Sequence, residues 1–201
     1  MKRFSLIALL FATSSVFAAD GAKAPATEKY DIDASHSAVA FGWNHFGFSN
    51  PIARFDKIEG SLLLNQADLT QSSISVSLPL ASVDTGVAKL DEELRGPEFL
   101  DAAKYPTITF KSTKVEKTGE SALTITGDLT VHGVTKPVTL QAKINKIGIF
   151  EIPGVIKAPA AGFDATTVIK RSDFGVTKYV PAVSDEIPVR ITLDAKQAQA
   201  K

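Results

Sequence analysis

Between Leu123 and Ile144 the chain alternates apolar and polar residues on either side of one two-residue interruption. Leu123, Ile125, Gly127, Leu129 and Val131 occupy one parity, and Thr124, Thr126, Asp128 and Thr130 the other; His132-Gly133 follows, then Val134 to Ile144. Period two with β-branched enrichment predicts strands with one dry and one wet face. Gly133 supplies the positive φ of a tight hairpin loop. A two-residue loop pairs Val131 with Val134, Leu129 with Lys136, Gly127 with Val138, Ile125 with Leu140 and Leu123 with Ala142. Paired residues share a face, so the apolar sides of both arms coincide except at Lys136, beside the turn.

The same period recurs along the chain. Val39, Phe41 and Trp43 share one side of a strand whose other side carries only Ala38, Ala40 and Gly42. After the loop His45 to Pro51, a long strand is expected from Ile52 to about Leu64, with Gly60 marking a bend or bulge. Ile74, Val76, Leu78 and Leu80 alternate with serines, Pro106 to Thr113 reads as a strand followed by a charged loop, and Gly162 to Arg171 as a further strand. Ile187, Val189, Ile191 and Leu193 mark a closing strand. Ile147 to Ala161, rich in Gly and Pro, reads as an ordered loop or ragged strand. Only Val87 to Leu100 departs from period two: Leu90 and Leu94 lie four apart and Gly96-Pro97 interrupts, which predicts a short helix and a turn with Phe99 and Leu100 tucked inward. Seven or eight half-apolar strands and one helical excursion point to an all-β antiparallel sandwich or closed barrel. Period alone does not separate the two.

Composition adds the compartment. The chain has 201 residues, 44% hydrophobic, with 22 basic and 22 acidic side chains. This suits one core-forming domain and argues against a nucleic-acid partner, which leaves a basic footprint. Lys2-Arg3, the apolar run Phe4 to Ala12 and Val16-Phe17-Ala18 read as a secretory signal cut after Ala18. The apolar run is well short of the ~20 residues that span a bilayer, so stable membrane insertion is not expected. Residues 19–29 read as a loose leader, 30–195 as the domain and 196–201 as a frayed tail. With no cysteine there is neither a disulfide framework nor a lipid-modified N-terminal cysteine. An exported protein of a bacterial periplasm follows.

Candidate chemistry is sparse. His36 and His45, on one uninterrupted strand, would face opposite sides roughly 30 Å apart, so structural or hydrogen-bonding roles are expected of them, and no metal; His132 is expected to cap the hairpin. Asp84-Thr85-Gly86 is the signature of aspartic proteases, whose two carboxylates share a proton. One copy demands a dimer, and the supporting apolar strand is not evident. The alternative is a strand end, with Asp84 accepting backbone hydrogen bonds and Gly86 closing a turn. No Gly-x-Ser-x-Gly elbow and no phosphate loop is present. The aromatic residues, spread over most elements, serve either as core or as the wall of an elongated apolar cavity.

Several stretches together resemble the YceI-like, or polyisoprenoid-binding, family of bacterial envelope proteins. They are Tyr30-Asp-Ile-Asp-Ala-Ser-His-Ser37, Ser82-Val-Asp-Thr-Gly86, Leu94-Arg95, Phe99 to Phe110, Gly127 to Val138 and Arg171-Ser-Asp-Phe-Gly175. Their order and spacing are specific where each alone is weak. Many relatives have a histidine where this chain has Glu93, and a glycine before the phenylalanine is missing at Phe55. The resemblance implies an antiparallel eight-stranded lipocalin-like barrel whose apolar tunnel holds an isoprenoid chain, isoprenoid quinone or fatty amide, with no cofactor and no catalysis. Alternation within that barrel supplies most of the residues nominated for the tunnel wall, Val39, Phe41, Trp43, Leu62, Ile74, Val76, Phe110, Ile125 and Leu140, and the turn after the helix adds Phe99. A fully packed scaffold barrel and a dimeric aspartic protease remain the alternatives, and a homodimer is left open.

Overall fold

The computed structural model describes residues 26–198. The signal segment and most of the leader lie outside these residues. The expected hairpin sets the frame: β8 (Ala122–Val131) and β9 (Val134–Ile152) pair in the expected register, from Val131 with Val134 to Leu123 with Ala142. His132 and Gly133 both take positive φ, 52° and 74°, as a two-residue hairpin loop requires. On one side β8 pairs with β7 (Thr107–Lys117); on the other, β9 pairs with β10 (Ile156–Lys170), and β10 with β11 (Glu186–Gln197).

The first half of the chain forms three strands, each broken once. β1 (Glu28–Ile32) and β2 (Ala38–Gly42) run along successive parts of β11. β3 (Ile52–Phe55) and β4 (Glu59–Leu64) lie beside them, followed by β5 (Ser73–Pro79) and β6 (Val83–Asp84). β5 returns to β7, so the meander closes as an eight-stranded antiparallel barrel. Closure removes the free edges that an open sheet would expose. α1 (Ala88–Arg95) lies at one end, and the β9–β10 hairpin projects at the other.

The breaks have local causes. Asp33 accepts the Ser35 amide at 3.0 Å in a side-chain-closed turn that separates β1 from β2. Pro79, which lacks an N–H, ends β5 in a short 3-10 turn over Leu80–Ser82. The strand expected to run unbroken from Ile52 to Leu64 is likewise two, β3 and β4. At Gly60, φ is 144°, and a Cβ would lie 2.1 Å from the Ser75 carbonyl oxygen. Gly60→Ala is therefore expected to lower stability by about 2 kcal/mol or more, read as a lower urea midpoint at unchanged slope.

Three segments differ from the sequence reading. β7 continues through the stretch expected to be a charged loop. A bulge between Ser112 and Lys114 shifts its phase, so that Phe110, Ser112 and Val115 are all buried, which strict period two cannot give. Residues 147–161 are the ends of β9 and β10 joined by a turn at Gly154, φ 75°; β8 does not cover them, so they need no apolar alternation. β11 runs to Gln197, two residues into the segment read as tail, because Tyr30 pairs with it.

Asp33 also ties the two ends of the chain together. It accepts hydrogen bonds from Lys196 on β11, and from Ser35 and His36; these, Lys196 first, hold its carboxyl far below the usual carboxylate range. A depressed folded-state pKa gives stability that is present above the ordinary Asp value, about 4, and is lost as pH falls below it. Urea denaturation is expected to show this loss beginning at about pH 5 and continuing below about pH 3. Asp33→Asn should flatten that slope and cost about 1 kcal/mol at neutral pH.

Candidate functional site

The fully buried apolar residues do not form one contiguous cluster, and half-buried ones, Ile74, Val76 and Ile191 among them, bridge the groups. Buried apolar residues fall into three groups. One gathers Trp43, Phe55, Ile58 and Leu80 toward the helix end. One gathers Tyr30, Leu64 and Leu193 toward the projecting hairpin. The third lines the β7–β10 side with Phe110, Leu123, Leu140 and Ala165. Between them lies a cavity of about 630 Å³, within the range of about 300–1,000 Å³ usual for small-molecule sites.

All ten nominated residues line this cavity: Val39, Phe41 and Trp43 from β2 and its end, Leu62 from β4, Ile74 and Val76 from β5, Phe110 from β7, Ile125 from β8, Leu140 from β9, and Phe99 after α1. Leu90 and Leu94 turn the helix's apolar stripe into the same space. Ala142 and Ala165, a cross-strand pair, leave room where larger side chains would meet. Close packing requires glycine at Gly127: a Cβ there would lie 2.4 Å from the Phe110 ring. Lys136 is exposed beside the hairpin turn.

The wall's exposed members, His45, Phe46, Glu93 and Tyr179, sit together at the helix end and mark the mouth. At the opposite end, Leu64 and Leu193 close the cavity. Phe46 and Tyr179 approach each other at 6.3 Å between ring centroids, and Phe99 meets Tyr179 at 6.4 Å. Both Phe46 and Tyr179 have positive φ, 54° and 62°. That conformation is strained for bulky residues and concentrates at functional sites.

Arg171, a wall residue absent from the nominated set, holds this mouth together. Its guanidinium donates to four backbone carbonyls: Nε to Ser184 at 2.9 Å, Nη1 to Val176 at 3.1 Å, and Nη2 to Lys178 at 2.8 Å and Val183 at 2.9 Å. Burial pushes its pKa down, opposed by the Asp185 charge. Asp185, although burial acts to raise its pKa, is held below the ordinary value by hydrogen bonds from the Ser172 amide and hydroxyl and by the Arg171 charge. The sequence carries no local sign of this clamp, since all four carbonyls belong to an irregular loop. Lys178 pairs with Glu98 and lies 4.9 Å from the Tyr179 ring centroid. The Glu98 hydrogen bond raises its pKa.

The other chemical candidates are placed elsewhere. Asp84 Oδ1 accepts the Gly86 amide at 2.8 Å and Oδ2 lies 3.3 Å from Arg54, while Gly86 turns at φ 77°, the strand-end arrangement. His132, expected to cap the hairpin, occupies its turn; Nδ1 lies 3.2 Å from the Phe174 carbonyl oxygen, and the ring meets Tyr105 edge-on at 4.8 Å. Asp33, His36 and Asp194 bring potential metal-ligand atoms within 4.8 Å of one another. The Lys196 ammonium already neutralises Asp33 there. No helix among the described residues is long and apolar enough to cross a membrane.

Known proteins share this architecture. A UPF0312 protein of Enterobacter sp. (strain 638) is 38% identical over 196 residues, covering 98% of this chain and 96% of the relative. The crystal structure of Burkholderia cenocepacia BcnA superposes with a TM-score of 0.73 at 26% identity, over 82% of this chain and 99% of BcnA. A structure described as a polyisoprenoid binding domain from Saccharophagus degradans, implicated in plant cell wall breakdown, superposes with a TM-score of 0.66 at 18% identity, over 84% and 98% of the two chains. The model of the YceI-like domain matches residues 30–195, and the chain belongs to that family.

Proposed function

We propose that the protein is a non-enzymatic periplasmic carrier or reservoir for a long apolar lipid: a polyisoprenoid, an isoprenoid quinone or a fatty amide. The apolar cavity of about 630 Å³ carries this reading. A chain withdrawn from water into such a space gains about 0.8 kcal/mol per buried methylene, while the polar groups at the mouth, His45, Tyr179 and Glu93, are left to meet a head group. The ten nominated wall residues are the proposed chain contacts. The Saccharophagus degradans domain, named for polyisoprenoid binding, supports the ligand class. Export rests on the Lys2-Arg3 start, the apolar run and the Ala18 cleavage site. A fully packed scaffold barrel would have no use for a void of this size.

Trp43, the sole tryptophan, lines the cavity and serves as reporter. Adding decylubiquinone to the purified mature protein is expected to quench its fluorescence saturably, and native mass spectrometry to show one lipid-sized adduct. No adduct from the cell and no quenching by added quinone would sink the carrier reading.

A further inference from the structure

The loops around the mouth carry very little charge. Residues 44–53 contain no Asp, Glu, Lys or Arg, and residues 174–184 contain only Lys178, in a chain that is 22% charged. The two loops are bonded into one surface: Phe46 N donates to Ala182 O at 2.8 Å, Ser184 N to Asn44 O at 3.0 Å, and Asn44 N to Ser184 Oγ at 2.9 Å. Apolar side chains stand out from this surface. Phe48, at the loop tip, is 91% exposed and Ile52 69%, with Phe46 and Tyr179 about half exposed. A rim of this kind has a cost in water and marks an interaction surface.

We propose that this rim docks on the surface of a lipid bilayer and opens the cavity directly onto it, an inference that rests on the carrier reading. Three observations favour a bilayer over a protein partner. Phe46 and Tyr179 belong to the rim and to the cavity wall at once, so an apolar chain leaving a membrane would meet no water on its way in. Aromatic side chains with a polar end, such as Tyr179, settle at the membrane–water interface, whereas ionised ones are rejected below it. The one cation of these two loops, Lys178, is paired with Glu98 and lies against the Tyr179 and Phe99 rings, the position of a charge held at the edge of an apolar layer. The projecting β9–β10 hairpin also exposes Ile149, Ile152 and Val155, but none of these lines the cavity, and Lys157 and Glu151 form an ion pair within that hairpin.

The test uses the mature protein and quinone-free vesicles of phosphatidylethanolamine and phosphatidylglycerol, sedimented after mixing. Phe48→Ser/Ile52→Ser changes two exposed residues outside the cavity wall. It is expected to reduce vesicle binding about tenfold or more while leaving Trp43 quenching by decylubiquinone unchanged. Ile152→Ser/Val155→Ser is expected to leave both unchanged. Vesicle binding by the rim variant at the wild-type level overturns the proposal, as does loss of binding in the hairpin variant alone. Wild-type protein that ignores vesicles also overturns it, and self-association through Phe48 in sedimentation velocity would then make a second copy the occupant. Rim-dependent vesicle binding without any quinone quenching would keep the docking surface and remove the carrier reading.

Discussion

Ala165→Trp is expected to leave the barrel folded and to weaken lipid binding at least about a hundredfold, roughly 2.7 kcal/mol. Ala165 is buried in the cavity wall, opposite Ala142 on β9 and Ile191 on β11. An indole there projects into space that no protein atom fills, so it does not force the repacking that makes oversized residues costly in a closed core. The stability change should stay below about 3 kcal/mol. The ligand, by contrast, loses the volume its chain would occupy. Calorimetric titration and native mass spectrometry read the binding, and urea denaturation reads the fold. If the Ala165→Trp variant still carried a full complement of lipid, the ligand would have to be held elsewhere.

Arg171→Ala is expected to be the most destabilising single change at the mouth, by about 3–5 kcal/mol. The four carbonyls that its guanidinium serves lie between Val176 and Ser184. Each, left without a donor in a buried site, costs about 1–3 kcal/mol, and partial solvation of the loosened loop recovers some of the sum. Arg171→Lys should recover little, because an ammonium is compact and cannot present a planar fork to carbonyls in several directions. The loss should be local first. Hydrogen exchange at Val176 to Ser184 is expected to accelerate while β7 to β9 stay protected. Uniform acceleration throughout the barrel would instead place Arg171 in the global core.

The central hairpin was fully legible because its information is local: alternation, a loop compatible with positive φ, and two arms of matching phase. The cavity wall was legible for a related reason. A residue's parity within a strand decides which side it faces, and one side of a barrel strand faces the lumen. Parity fails where a strand takes an extra residue, as at the β7 bulge, and where an element leaves the lattice, as in the loops that carry Phe46 and Tyr179. Glu93, which the sequence marks only as a departure from the family's pattern, lines the mouth because α1 packs over the barrel end.

The sequence by itself determined most of the strands, the hairpin register, the single α-helical excursion and ten residues that the structure brings to one wall. It did so because alternation is a property of neighbouring residues. Only the tertiary structure decided that β1 and β2 close on β11, that the interior stays hollow, which end is open, and that Arg171 pins that end. Those features depend on contacts between residues far apart in the chain, and on a volume that no single strand encloses.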